Sequence, residues 1–199
     1  MNLVCFDLEG TLAPEIWTSF ADAAGIPELR LTTRDEPDFD KLMRMRIEAL
    51  AAHGCTVEKI QETVAGLEPF EGARAFLDRL RPLTSLVVVS DTFTQLAVPL
   101  MHKLGWPAIF CNELVVDEAG AITGWRMRAA AKKEQVVRQF QNIGCETICA
   151  GDGFNDVGMI RASKAGFLFR TTPELAAANP DIPALESYDD LFDAIVGAL

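Results

Sequence analysis

Carboxylates stand at the ends of short apolar runs in this chain. "LVCFDLEGTL" closes one run with Asp7 and Glu9, "SLVVVSDT" closes another with Ser90 and Asp91, and "TICAGDGFND" closes a third with Asp152, Asn155 and Asp156. Lys132 and Lys133 open a segment of helical spacing. Each element alone has an ordinary reading: an aspartate after a strand is often a helix cap, and a lysine at a helix start is usually solvated. Together they suit one chemistry. Gathered carboxylates raise one another's pKa unless a cation sits among them. An all-oxygen donor set without imidazole or thiolate favours Mg²⁺. A hydroxyl and a lysine beside that ion can hold phosphoryl oxygens. Two acids one residue apart can divide the work, one as nucleophile and the other as proton donor and acceptor.

The elements that must position these groups can be read from the apolar pattern. "LVCF" (3–6), "SLVVVS" (85–90), "AIFC" (108–111), "TICA" (147–150) and "AGFLF" (165–169) are short and nearly continuously apolar, which predicts parallel strands covered on both faces. The segments 72–83, 94–106 and 132–144 have helical spacing, and Gly105 and Gly144 are good stops. Alternation of the two predicts an α/β fold, a doubly wound Rossmann-like parallel sheet. Such sheets bind ligands beyond the carboxyl ends of their strands, where the acids stand. Residues 14–70 hold only helical patterns and read as an insertion after the first strand. The domain expectation is therefore a core of 1–13 and 71–199 with a helical unit at 14–70. The alternation in 112–128 around Ala119–Gly120 predicts a β-hairpin, and the polar "TTRDEPDFD" (32–40) predicts a mobile loop.

Composition narrows the partners. The 199 residues are 49% hydrophobic and 24% charged, with a net charge of −11. An acidic surface argues against nucleic acid and anionic membranes, which are bound by basic surface. No apolar run approaches the ~20 residues of a membrane span, and the N-terminus lacks the pattern of a signal peptide. Five cysteines without a C-x-x-C pair read as reduced, mostly buried thiols. These features predict a cytoplasmic protein that binds neither nucleic acid nor a membrane, and they leave monomer or homodimer open.

"DLEGTL", Ser90, Lys132 and "GDGFND" resemble, in order and spacing, the four motifs of the haloacid dehalogenase superfamily of phosphohydrolases, over nearly the whole chain. The helical insertion resembles that family's cap. Within the superfamily the chain looks most like the phosphoserine phosphatase group. "DLEGTLAPEIW", "TTRDEPDFDKLMRMR" and "SDTF" resemble its members that also transfer the phosphoryl group to homoserine. The resemblance implies that Asp7 is the nucleophile, forming an aspartyl phosphate, and that Glu9 passes the proton. It implies Mg²⁺ held by Asp7, the Glu9 backbone carbonyl and Asp152, and phosphate held by Ser90, Asp91, Lys132 and Asn155, with Asp156 in support. Lys133 is the rival for the lysine position, and Lys132 better fits the motif register. Most members of the family carry aspartate where this chain has Glu9. The extra methylene moves the carboxyl group by ~1.5 Å, a large shift against the geometry that proton transfer needs.

Phe39, Met43 and Leu50 fall on one helical stripe, and Arg46 interrupts it. A cation on an apolar face is costly unless paired. It either snorkels to solvent or clamps a carboxylate, and spacing leaves both open. The resemblance implies the clamp, with Phe39 and Arg46 on the serine moiety, Glu15 on its ammonium and Arg34 a further candidate. O-phospho-L-serine, with L-homoserine as a possible acceptor, fits this set. Two other readings remain: the same chemistry on another small phosphorylated metabolite, since fold does not fix substrate, and a receiver-type phospho-acceptor switch that is not an enzyme.

Overall fold

A computed structural model describes residues 1–32, 35, 36, 38–127 and 132–199. Seven strands form one sheet: β1 (Asn2–Phe6), β2 (Ser85–Phe93), β3 (Ala108–Val116), β4 (Ile122–Arg126), β5 (Glu146–Gly151), β6 (Ala165–Phe169) and β7 (Ala184–Leu185). Their order is β4-β3-β2-β1-β5-β6-β7. All neighbours run parallel except β3 and β4. The chain winds outward from β1 through β2 and β3, then returns to the other side of β1 for β5, β6 and β7. Strand order thus reverses at the β1–β5 pair, the place where sheets of this kind bind ligands.

Alternation along the strands explains the layers. Val4 and Phe6 face one hydrophobic cluster, and Leu3 and Cys5 face the other. The helices α4 (Ala73–Leu80), α5 (Thr94–Lys103) and α9 (Tyr188–Ala198) cover the first face. The helices α6 (Lys133–Asn142) and α7 (Val157–Ala162) cover the second. None of the five cysteines forms a disulfide among the described residues, and four are buried. Cys5 lies opposite Cys149 in register.

Between β1 and α4 the chain forms α1 (Ile16–Ala24), a 3-10 turn (Pro27–Arg30), α2 (Phe39–Ala52) and α3 (Val57–Gly66). Local chemistry sets their ends. Gly25 closes α1 in the left-handed conformation. The Asp38 side chain caps α2 by accepting from the Lys41 amide at 3.1 Å. The helical reading of this insertion therefore agrees with the structure, while the loop expected over 32–40 falls partly outside the described residues.

The five strands expected from the sequence are all present. The expected hairpin differs in one respect: β3 is a single strand that pairs parallel with β2 in its first half and antiparallel with β4 in its second. A buried-run pattern and an alternating pattern meet inside it, so pattern alone cut it in two. The short α8 (Pro173–Ala178), β7 and α9 complete the fold. Among the described residues no helix is long and apolar enough to cross a membrane.

Candidate active site

The site begins where β1 ends. Asp7 is 5% exposed, and its amide donates to the Ala150 carbonyl of β5 at 3.0 Å, which carries the sheet one residue further. The chain then turns sharply. The Leu12 and Ala13 amides both return to the Leu8 carbonyl, and Gly10 turns at φ +82°. A Cβ at Gly10 would lie 2.4 Å from the Asp152 carboxylate, so only glycine lets the two loops approach this closely.

Lys133 is buried at the start of α6. Its ammonium lies 2.7 Å from Asp7 Oδ1 and 2.7 Å from Asp156 Oδ1. Asp156 also accepts from the Gly153 amide at 2.9 Å. The Leu8 amide donates to Asp7 Oδ1 at 2.7 Å. Oδ1 is thus held by two donors, and Oδ2 is the less encumbered oxygen. The lysine expectation needs correction: Lys132 is the exposed N-cap residue of α6, and Lys133 reaches the acids. The reason is helical geometry. Lys133, Val136 and Val137 share the buried stripe of α6, and Lys132 precedes its first turn. Both lysines line a small cleft with Ser90 and Asp91.

Carboxylate oxygens of Asp7, Asp152 and Asp156 lie within 4.8 Å of one another. Burial, then the Asp156 charge, pushes Asp7 well above the usual carboxylate range. Asp152 is pushed up to about 6 by burial and then by Asp156. Burial alone would depress the Lys133 ammonium, but Asp156 and Asp7 outweigh it and hold it well above its ordinary value. Three carboxylates against this one ammonium leave two negative charges when all are ionised. The donor chemistry and the charge deficit therefore fit a hard divalent cation. Of the residues expected at the ion, Asp7 and Asp152 stand in this cluster, and Asp156, expected in support, stands with them.

Glu9 Oε1 accepts from the Ile16 amide at 2.7 Å. Ile16 is the first residue of α1, whose N-cap Glu15 makes no side-chain cap. The Glu9 carboxylate therefore satisfies an otherwise free donor of that helix from outside it. Its pKa is pushed up to about 7, by burial first and by the neighbouring Glu15 next, against the Ile16 amide, Arg46 and Lys133.

Ser90 is buried, and its hydroxyl accepts from the Thr92 amide at 3.2 Å. The Asp91 carboxylate accepts from Asn155 Nδ2 at 2.9 Å. The Asp91 side chain is thus an acceptor engaged with Asn155 and offers no side-chain donor of its own to a phosphate. Thr171 was not singled out by sequence: its hydroxyl donates to the Asp152 carbonyl at 2.6 Å and ties that loop to the end of β6.

Across from the acids, Arg46 of α2 is 7% exposed. It does not snorkel. One nitrogen donates to the Leu31 carbonyl at 2.8 Å, another approaches the Met43 sulfur at 3.9 Å, and Nε has no partner. Burial pushes its pKa down to about 10, against Glu9 and Glu15. Its guanidinium carbon lies 4.5 Å from the centre of the Trp17 ring. Glu15 is exposed, and its charge acts on Glu9, Asp152 and Arg46. Phe39 is half-buried, edge-on to Trp125 of β4 with ring centres 6.5 Å apart. Arg34 lies outside the described residues.

An acidic cluster with a buried lysine at the switch point of a parallel sheet, beneath a helical insertion, defines a class. The chain belongs to the haloacid dehalogenase-like hydrolase family, whose model matches residues 1–164. Within it, the chain is 41% identical to phosphoserine phosphatase ThrH of Pseudomonas aeruginosa, over 96% of this chain and 93% of that protein. It is 40% identical to a phosphoserine phosphatase of Pseudomonas syringae pv. tomato, over 96% and 81% of the two chains. Among solved structures, an apo phosphoserine phosphatase superposes with TM-score 0.75 at 22% identity, covering 93% of this chain and 92% of that one. A substrate-bound phosphoserine phosphatase complex gives TM-score 0.74 at 23% identity, covering 94% and 93%. These two share the fold.

Proposed function

We propose that this chain is a Mg²⁺-dependent phosphatase of O-phospho-L-serine that works through an aspartyl phosphate on Asp7 and also transfers the phosphoryl group to L-homoserine. The observation that carries the reading is the placement of Glu9. Its carboxylate is held at the Ile16 amide, at the start of the helix that carries Trp17 against Arg46, and the charges of Glu15, Arg46 and Lys133 all act on it. The names of the relatives support the same substrate.

Asp7 Oδ2 attacks phosphorus while Lys133 and the Leu8 amide hold Oδ1. The P–O bond to serine breaks, and its alkoxide takes the proton from Glu9. The acyl phosphate on Asp7 is then attacked by water, or by the homoserine hydroxyl, as Glu9 removes the proton. The second P–O bond breaks and Asp7 is regenerated as a carboxylate. Asp7, Asp152 and the Glu9 backbone carbonyl would hold Mg²⁺, with Asp156 in the same cluster, and the ion would neutralise charge on the phosphoryl oxygens. Ser90, Lys133 and Asn155 are the donors for the phosphate. Arg46 takes the substrate carboxylate and Glu15 its ammonium, while Phe39 covers the methylene. Residues 14–70 act as the cap that reads the leaving group, and the protein works in the cytoplasm.

The test is incubation with phosphoserine and Mg²⁺, with and without homoserine, counting inorganic phosphate against phosphohomoserine. Phosphate release abolished in Asp7→Asn, with the fold intact by circular dichroism, is the expected control. Release at the wild-type rate in that variant overturns the mechanism, and absence of phosphohomoserine removes the transfer.

A further inference from the structure

We propose that Trp17 is a specificity-determining positioning residue, which presents Arg46 to the carboxylate of the substrate. This deepens the reading of the same site and rests on it. Arg46 is a buried guanidinium with too few partners. Five N–H groups find one carbonyl oxygen and one thioether, and Nε has none. Among the described residues no carboxylate lies within 4.0 Å of its nitrogens, although Glu9 and Glu15 act on it through space. A cation this buried ordinarily needs an anion in contact with it. Here the indole face of Trp17 takes part of that place. An aromatic face attracts the cation without using any of its N–H donors, so the donor edge stays open for a bidentate ligand. A glutamate in the same position would stabilise the charge and fill the fork.

The neighbours of Trp17 make the placement specific. Glu15 sets the charge beside Glu9 and Asp152, the Ile16 amide donates to Glu9, and Trp17 lies against Arg46. One turn at the start of α1 thus serves the proton carrier, the ammonium site and the carboxylate site. Trp17 is also fixed from the core, edge-on to Phe93 of β2 with ring centres 6.4 Å apart at 89°. Phe93 follows Ser90 on the same strand, so the strand that supplies the phosphate hydroxyl also orients the indole.

The test compares phosphoserine with phosphoethanolamine, which keeps the phosphate and ammonium and lacks the carboxylate. For wild type, Arg46→Ala, Trp17→Leu and Trp17→Phe, kcat and KM are measured on both, with folding checked by thermal melting. In Trp17→Leu the preference for phosphoserine is expected to fall about thirtyfold, the size of a desolvated cation–π contact, and to fall through KM. Trp17→Phe keeps a smaller aromatic face and should recover part of it. Equal loss on both substrates shows a structural role only and overturns the proposal, as does an unchanged preference. An unchanged preference in Arg46→Ala overturns the substrate reading and the role of Trp17 with it. A preference that falls in Arg46→Ala and holds in Trp17→Leu overturns the role of Trp17 alone.

Discussion

Replacing Glu9 by aspartate tests why this chain carries the longer acid. Glu9 Oε1 accepts from the Ile16 amide at 2.7 Å, across the junction between β1 and the first helix of the insertion. Removing one methylene withdraws the carboxyl group by ~1.5 Å. Without backbone movement, the contact opens to about 4.2 Å, beyond hydrogen-bond reach. The loss is that of a helix cap, about 1 kcal/mol with a range of ~0.5–2. For a chain of this size that lowers Tm by about 2–4 °C. On the proposed mechanism, the same withdrawal moves the proton-carrying carboxyl group toward the sheet, away from an acceptor as bulky as homoserine and toward the space of a water molecule. Glu9→Asp should therefore give a lower Tm and a severalfold smaller ratio of phosphohomoserine to inorganic phosphate at fixed homoserine. Differential scanning fluorimetry and product counting read the two effects separately. An unchanged Tm refutes the capping role. A lower Tm with an unchanged product ratio shows that the length of Glu9 serves only the helix and refutes the link to acceptor choice.

The two lysines separate cleanly: Lys133→Met should lower kcat/KM by about 10²–10³, as removal of a preorganised electrostatic group does, while Lys132→Met costs less than about tenfold, and the reverse order would return the motif role to Lys132. Stability without metal should fall as pH rises. Glu9 and Asp152 have folded-state values raised from 4.5 and 3.8 to about 7 and about 6, so the folded protein binds more protons than the unfolded chain between about pH 4 and 7. Tm is expected to be higher at pH 5 than at pH 7.5, and added Mg²⁺ to raise it more at pH 7.5; a pH-independent effect of Mg²⁺ would contradict binding at the ionised cluster. Gly10→Ala sets a Cβ 2.4 Å from the Asp152 carboxylate at φ +82°, and should cost ~1–2 kcal/mol in backbone strain and weaken Mg²⁺ binding measured by calorimetry; wild-type affinity would show that the two loops separate freely.

What the sequence made legible follows from where each signal is local. Asp7, Ser90 and Asp152 are found by their place after apolar runs, because a strand and the loop that follows it are contiguous in the chain. The doubly wound class followed from the alternation of strands and helices, while the order of the strands came from the structure. Interactions that join distant segments left no such mark. The Glu9–Ile16 bond spans seven residues and depends on the angle of the turn at Gly10. Asp91 holding Asn155 spans 64 residues and depends on loops from two different strands. Lys133 lies between these cases. Its motif register favoured the lysine before it, yet its spacing of three and four to Val136 and Val137 was visible throughout. A lysine on the apolar stripe of a helix must bury its ammonium or bend away, and burial requires anions at the end of its reach. The sequence supplies those anions at two strand ends and sets Lys132 outside the stripe. Periodicity weighed together with the cost of burying a charge therefore selects Lys133 where the motif alone selected its neighbour. The same weighing applies to Arg46, where the apolar stripe of α2 already demanded either an exit to solvent or a partner, and the structure leaves its donor edge open.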